Sequence, residues 1–262
     1  MILSLALLAM ASENTITPIT MGDGQIDGRK ITAYDHSWRQ CNLQDGQWVA
    51  GPALRERATV IGDKLLRIDQ HATLPGNVIN NMHFYFDRAT LAPVRLEREF
   101  LGPDGRMLAS RTFDFDEQGY RAEIFQKGET TVKTGALTAS MYSAATMGLP
   151  LSTLEFGDQT VAFTALMTNF DASYAIQASK TGAEMLETET GQIPVDWIDV
   201  TWKHNEAGDI YPPGPDASGG RYWITRTPVE GVPRILRYKT DSYVVEFEPQ
   251  YCPAPAKDTM SE

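Results

Sequence analysis

Asp69 and His71 lie two residues apart, as do His83, Tyr85 and Asp87 in turn. On an extended chain such residues share a face. If the two segments pair as a hairpin through Thr73 to Gly76, Asp69, His71, His83 and Asp87 converge. That patch could hold a divalent ion or act as acid and base. Phe84 and Phe86 take the opposite face, so the same polar set is also what any solvated sheet face presents. Adjacency, register and side-chain direction must all hold, and a slip of one residue turns the whole set away. Asp196 and His204 share parity with Ile198 and Trp202 and read as a half-buried face. The strong catalytic signatures are missing: no Gly-x-Ser-x-Gly elbow, no His-Glu-x-x-His, no phosphate loop and no zinc-spaced Cys and His. Gly22, Gly24 and Gly28 lack the spacing of a dinucleotide loop, and Asp114, Asp116 and Gly119 depart from a calcium loop at Gln118 and Phe125. The reading therefore leans away from an enzyme. It names no catalytic residue and no cofactor, and it keeps metal-dependent hydrolysis at the four-residue patch as an alternative.

The two cysteines, Cys41 and Cys252, stand near the ends of the expected folded region. In an exported chain an even count favours a disulfide, which would make the first and last strands neighbours. Two free buried thiols are the competing reading.

The aromatic residues bear on binding. Trp197, Trp202, Tyr211, Tyr222, Trp223, Tyr238 and Tyr243 crowd the last third of the chain. A curved antiparallel sheet lined by such residues can hold an apolar ligand against a covering helix, and Trp197, Trp202, Tyr222, Trp223 and Tyr142 are the candidate ligand-binding side chains. Aromatics also simply fill strand cores.

The elements that would position these groups are short alternating runs. Arg55 to Ile61 and Lys64 to His71 flank Gly62-Asp63, a two-residue hairpin loop in which Gly supplies the positive φ. Val78 to Asp87 follows, then Val94 to Phe100, a turn at Gly102-Pro103-Asp104-Gly105, Met107 to Asp116, and Tyr120 to Gln126. This is an antiparallel meander. Residues 137–148, rich in Ala, Met and Ser, read as one short helix ended by Gly148 and Pro150. Strands resume at Gln159 to Leu166, Ser173 to Ala178, Ala183 to Thr188, Ile193 to Lys203, Arg221 to Thr227 and Arg234 to Glu248, the last broken at Thr240-Asp241. The Pro- and Gly-rich stretch from Tyr211 to Gly220 is a surface loop.

Ile2 to Met10 is an apolar run followed by Ala9-Met10-Ala11, the pattern of a secretory signal peptide over residues 1–11, although no Lys or Arg precedes it. The run is too short to span a bilayer, and no later stretch approaches the required length. The expectation is a periplasmic or secreted chain with no stable membrane insertion. It would have a mobile arm over residues 12–30, a single β domain over 31–252 and a disordered tail over 253–262. The chain has 262 residues, 23 Lys and Arg against 34 Asp and Glu, and a net charge of −11. That excess of acid argues against nucleic acid and anionic membrane surfaces as partners.

Several segments carry a resemblance. They are Leu137-Thr138-Ala139-Ser140-Met141-Tyr142-Ser143 leading to Leu149-Pro150-Leu151, then Gly157, Thr181-Gly182-Ala183-Glu184, Val195-Asp196-Trp197 and the Tyr222-Trp223 strand. Over Arg55 to Phe247 the chain resembles an uncharacterised family of bacterial periplasmic domain-of-unknown-function proteins, whose architecture is similar to that of the lipoprotein-sorting carriers. The resemblance implies a mainly β fold, a strongly curved antiparallel sheet or incomplete β-barrel with one short helix acting as lid. The function expected is non-enzymatic binding of a lipid or lipoprotein segment in the curved sheet. The alternative is a structural or protein-interaction module of the cell envelope working through the sheet edge or the 211–220 loop.

Overall fold

The computed structural model describes residues 16–136, 141–143, 148–166, 173–188, 191–205, 218–247 and 251–253. The expected signal peptide and the 211–217 part of the loop lie outside them, as do residues 254–262 of the expected tail. Apolar and polar residues alternate between turns, and the described residues form a single sheet of seventeen strands. The chain enters as β1 (Ile16–Pro18) and a 3-10 turn at Gly28–Lys30. It continues through β2 (Tyr34–Gln44), β3 (Gln47–Ala50), β4 (Leu54–Ile61), β5 (Leu65–Leu74), β6 (Val78–Asp87), β7 (Pro93–Leu101), β8 (Met107–Asp116), β9 (Gly119–Gln126) and β10 (Glu129–Gly135). Then come β11 (Met141–Ser143), the helix α1 (Gly148–Thr153), β12 (Thr160–Leu166), β13 (Ser173–Thr188), β14 (Gly191–Asn205), β15 (Ser218–Thr225), β16 (Ile235–Lys239) and β17 (Tyr243–Glu246).

Strand β2 joins two wings. Its first half, Tyr34 to Trp38, pairs with β4, and successive hairpins lead outward to β10. Its second half, Arg39 to Asn42, pairs with β17, and the other wing runs from there through β16, β15, β14 and β13 to β12. Short parallel pieces, β1 and β11, finish that edge against β12. Phe84, Phe113 and Ala122 of the first wing share one core with Phe163, Ile176 and Val200 of the second. Only a sheet bent back on itself can bring those residues together. Register shifts between Trp223 and Ile224 and between Lys180 and Gly182 add local bending. The two ends do not pair with each other among the described residues, so the sheet is strongly curved but not closed.

Three expectations need correction. The arm over residues 12–30 is, from Ile16 onward, packed rather than mobile: β1 is hydrogen-bonded to β12, and Ile19 and Ile26 are buried in the main core. The Asp23 carboxylate fastens the intervening turn by accepting the amides of Thr20 at 2.7 Å and Gln25 at 2.9 Å. The helix is displaced. Residues 141–143 form strand β11, residues 137–140 and 144–147 lie outside the described residues, and α1 begins at Gly148, the residue expected to end it. Pro150 sits in the first turn, where its missing donor is not needed. All six residues of α1 are buried. Burial against the sheet therefore outweighs the modest helix propensity of this hexapeptide. Gly148 is required there, since a Cβ would stand 2.6 Å from Ile235 and 2.8 Å from Tyr222. Finally, Ile61 pairs with Leu65, so the loop at Gly62 has three residues rather than two, with Gly62 at φ +57° as its composition demands.

Candidate functional site

The inner face of the sheet and helix α1 line a half-open cavity of about 400 Å³. Period-2 alternation selects its walls. On β4, β5 and β6 the inward residues are Leu54 and Glu56, Ile68, Gln70, Ala72 and Leu74, and Asn80 and Met82. Across the curve stand Tyr222, Ile235, Tyr238, Tyr243 and Val245, while Gly148 and Leu149 bring α1 onto the cavity. The lining is mainly apolar.

Several polar groups interrupt it. Glu56 accepts the Tyr34 hydroxyl at 2.7 Å and the Gln70 amide at 2.6 Å. Burial pushes its carboxyl above the usual range against the opposing pull of those hydrogen bonds. Burial also drives the Tyr34 and Tyr222 hydroxyls well upward and raises Tyr243 to about 12, so these phenols remain neutral. Tyr243 donates to Gln40 at 2.9 Å. Outside the lining, Arg98 and Arg111 face each other in register, one and two strands beyond Met82. Arg98 donates to Asn80 at 3.0 Å, and desolvation followed by repulsion from Arg111 lowers its affinity for the proton.

The candidate aromatics separate. Tyr222 lines the cavity and stacks on Tyr238 with ring centres 4.5 Å apart, and Trp202 leans on Tyr238 from the same face at 6.3 Å. Trp197 and Trp223 pair with each other across β14 and β15 and belong to the opposite face, in a small core with Leu186, Val195 and Leu236. The Arg221 guanidinium lies 4.7 Å above Trp197, and Arg237 lies 5.1 Å from Trp223. Neither indole reaches the cavity. The side chain of Tyr142 lies outside the described residues.

The hairpin that was to unite Asp69, His71, His83 and Asp87 does form, and its register sets Asp69 opposite His83 with Nδ1 2.5 Å from the carboxylate. That carboxylate also receives Arg67 at 2.6 Å and Arg57 at 3.1 Å. Against the upward effect of burial, the contact with His83 and then the two arginines hold it below the usual range. His71 is drawn instead to Asn81 at 2.8 Å. Asp87 turns to the loop after β6, accepting the amides of Ala89 and Thr90. The four residues thus do not converge, and among the described residues no three His, Cys, Asp or Glu side chains form a metal-binding group. The set sits on the outer face, away from the cavity. Sequence parity was sufficient to find the Asp69–His83 pair. It could not show that two arginines would occupy the same carboxylate.

Cys41 and Cys252 are joined, with Cα atoms 5.4 Å apart. The last described residues are held beside β17 by more than this bond. Glu246 accepts the amides of Tyr251 at 2.9 Å and Cys252 at 2.7 Å. Its carboxylate also meets Arg237 at 3.2 Å in a pair that is 2% and 0% exposed, and that guanidinium lies 5.0 Å from the Tyr251 ring. No helix among the described residues is long and apolar enough to cross a membrane.

No family model matches the chain, and no curated protein gives a significant match. Among solved structures it is similar to a β-barrel-like protein of the domain of unknown function DUF1849 from Brucella abortus. The TM-score is 0.50 and the identity 7%, over 82% of this chain and 96% of that one. The hypothetical lipoprotein YmcC from Escherichia coli aligns over 82% of this chain and 87% of its own, at TM-score 0.24 and 8% identity. A chain from Parabacteroides distasonis aligns over 87% and 96%, at TM-score 0.29 and 7% identity. The last two scores carry no argument. The first shows the fold: an open, curved, barrel-like sheet of a domain of unknown function, as the resemblance in the sequence implied.

Proposed function

We propose that this protein is an exported, non-enzymatic binder of an apolar chain, such as the acyl chain of a lipid or an apolar lipoprotein segment, held in the concavity of the sheet. One observation carries the reading: the largely apolar cavity of about 400 Å³ between the inner face and α1. Its size falls in the range of small-molecule sites, roughly 300–1,000 Å³, and its pattern of apolar walls with a few fixed polar groups is theirs as well. The disulfide is compatible with a location outside the cytoplasm, where such bonds persist.

Displacement of the neutral fluorophore N-phenyl-1-naphthylamine by alkyl chains of increasing length tests the proposal. Each buried methylene contributes about 0.8 kcal/mol, so affinity should rise about fourfold per carbon and level off once the cavity is filled. Native mass spectrometry after gentle purification should find a lipid retained. An empty protein that takes up neither fluorophore nor any alkyl chain overturns the proposal.

A further inference from the structure

Arg234 stands in the wall of the cavity and also borders a second hollow of about 350 Å³ between α1 and the turn after β15. It is only 7% exposed. Its Nε and Nη2 both donate to the carbonyl oxygen of Ser152, at 3.1 and 2.8 Å, which fixes the guanidinium against the end of α1. A guanidinium carries five N–H donors, and this contact uses two. Among the described residues no carboxylate pairs with it.

The acids around it are engaged elsewhere. In the second hollow Glu155 is bound to Lys30 at 3.0 Å, and Asp196 to both Lys180 and Arg226 at 2.9 Å. In the main cavity Glu56 is hydrogen-bonded to Tyr34 and Gln70, and burial disfavours its charge. A buried cation is normally paired, because leaving it without a counter-charge in an apolar setting is costly. Here the cavity itself is where a counter-charge would fit. The rigid fork of a guanidinium suits a carboxylate or phosphate, which it can bind through two parallel hydrogen bonds.

We infer that the ligand of the cavity is an amphiphile with one alkyl chain and an oxyanion headgroup, and that Arg234 binds that headgroup while the apolar walls take the chain. This inference rests on the binding function proposed above and narrows its ligand. Arg98, half-buried on the same inner face but one strand outside the lining, serves as the comparison cation.

The test uses three probes with the same 14-carbon chain: myristate, tetradecyl phosphate and tetradecanol, each displacing N-phenyl-1-naphthylamine. A hydrogen bond to a charged group is worth enough that the wild type should prefer the two anions over the alcohol by roughly tenfold to a hundredfold. Whichever anion binds more tightly identifies the headgroup as carboxylate or phosphate. Arg234→Gln should bind all three probes alike, Arg234→Lys should keep part of the preference, and Arg98→Gln should retain it. Urea midpoints of the variants establish that each is folded. The comparison of probes on the unaltered protein stands even if one variant is not. Equal affinity of the wild type for anions and alcohol would overturn the assignment to Arg234 and leave the binding function intact. Loss of the preference in Arg98→Gln but not in Arg234→Gln would overturn it as well. Failure of every probe to displace the fluorophore would overturn both.

Discussion

Reducing the Cys41–Cys252 bond should cost the protein about 5 kcal/mol while leaving the folded state almost unchanged. The bond spans 211 residues, nearly the entire folded region. In the loop-entropy description a cross-link of that span lowers the entropy of the unfolded chain by about 18 cal/mol/K, which is about 5 kcal/mol at 25 °C. The native side should barely respond. Cys41 is held by the pairing of Val244 with β2, and the segment carrying Cys252 is held by Glu246 through two backbone amides and by the Arg237–Tyr251 contact. Urea unfolding of the oxidised and dithiothreitol-reduced protein measures this on one sequence, without the packing loss of a mutation. The midpoint should fall sharply, and the slope m should rise, because the reduced unfolded chain is freer to expand. Near-ultraviolet circular dichroism in the absence of urea should stay the same. For a domain whose whole stability is of order 5–15 kcal/mol, the reduced form would be marginal. A midpoint unchanged by reduction refutes the entropic argument. A lost near-ultraviolet signal at zero urea refutes the claim that polar contacts hold the tail by themselves.

Glu246→Gln should destabilise by about 3 kcal/mol by leaving Arg237 buried beside no carboxylate, and adding Arg237→Met to it should recover part of that in the same urea assay, because the carbonyl of the introduced side-chain amide can still accept the backbone amides of Tyr251 and Cys252. Ala72→Phe, which projects a ring into the cavity, should abolish uptake of the neutral fluorophore while changing the urea midpoint little, since the space is already there. Glu56 has its carboxyl raised by burial, so the folded protein holds this proton more tightly than the unfolded chain does. Its contribution to stability should therefore decline as pH rises from about the ordinary 4.5 through the folded-state value, and be constant above it. The difference in urea midpoint between wild type and Glu56→Gln, followed from pH 4 to 8, should show that decline, and a difference that grows in favour of wild type with rising pH would contradict it.

Local pattern carried much of the architecture. Val78–Asp87 and Met107–Asp116 were readable because Phe84 and Phe86, and Phe113 and Phe115, alternate with polar residues after turn residues that open each segment. The final β hairpin was visible from its break at Thr240-Asp241. Strand β10 was missed, since Glu129–Gly135 lies exposed at an edge and has no apolar face to reveal it. The helix was misplaced because α1 exists through burial against Ile235 and Tyr222, a long-range cause that local propensity does not record. The candidate aromatics illustrate the opposite failure, in which an available signal went unused. Residues 222 and 223 are adjacent, and 197 and 202 differ by an odd number, so on strands neither pair can face one cavity. What remained invisible was the inner face shared by distant segments: Glu56, Tyr34 and Arg234 acquire their roles only when the sheet curls.

The division of β2 between two wings constrains the order in which the molecule can assemble. The first wing, from β2 through β10, is contiguous in the chain and closes by short hairpins, so it can form as soon as those residues emerge. The second half of β2 has an early neighbour on one side only, β3, while its other side waits some two hundred residues for β17. Until then that edge offers unpaired amides and carbonyls to any passing strand. Docking of β17 must follow synthesis of everything between it and β2, and the thiol of Cys252 arrives later still. The covalent bond can therefore only seal a seam that non-covalent pairing has already brought into register.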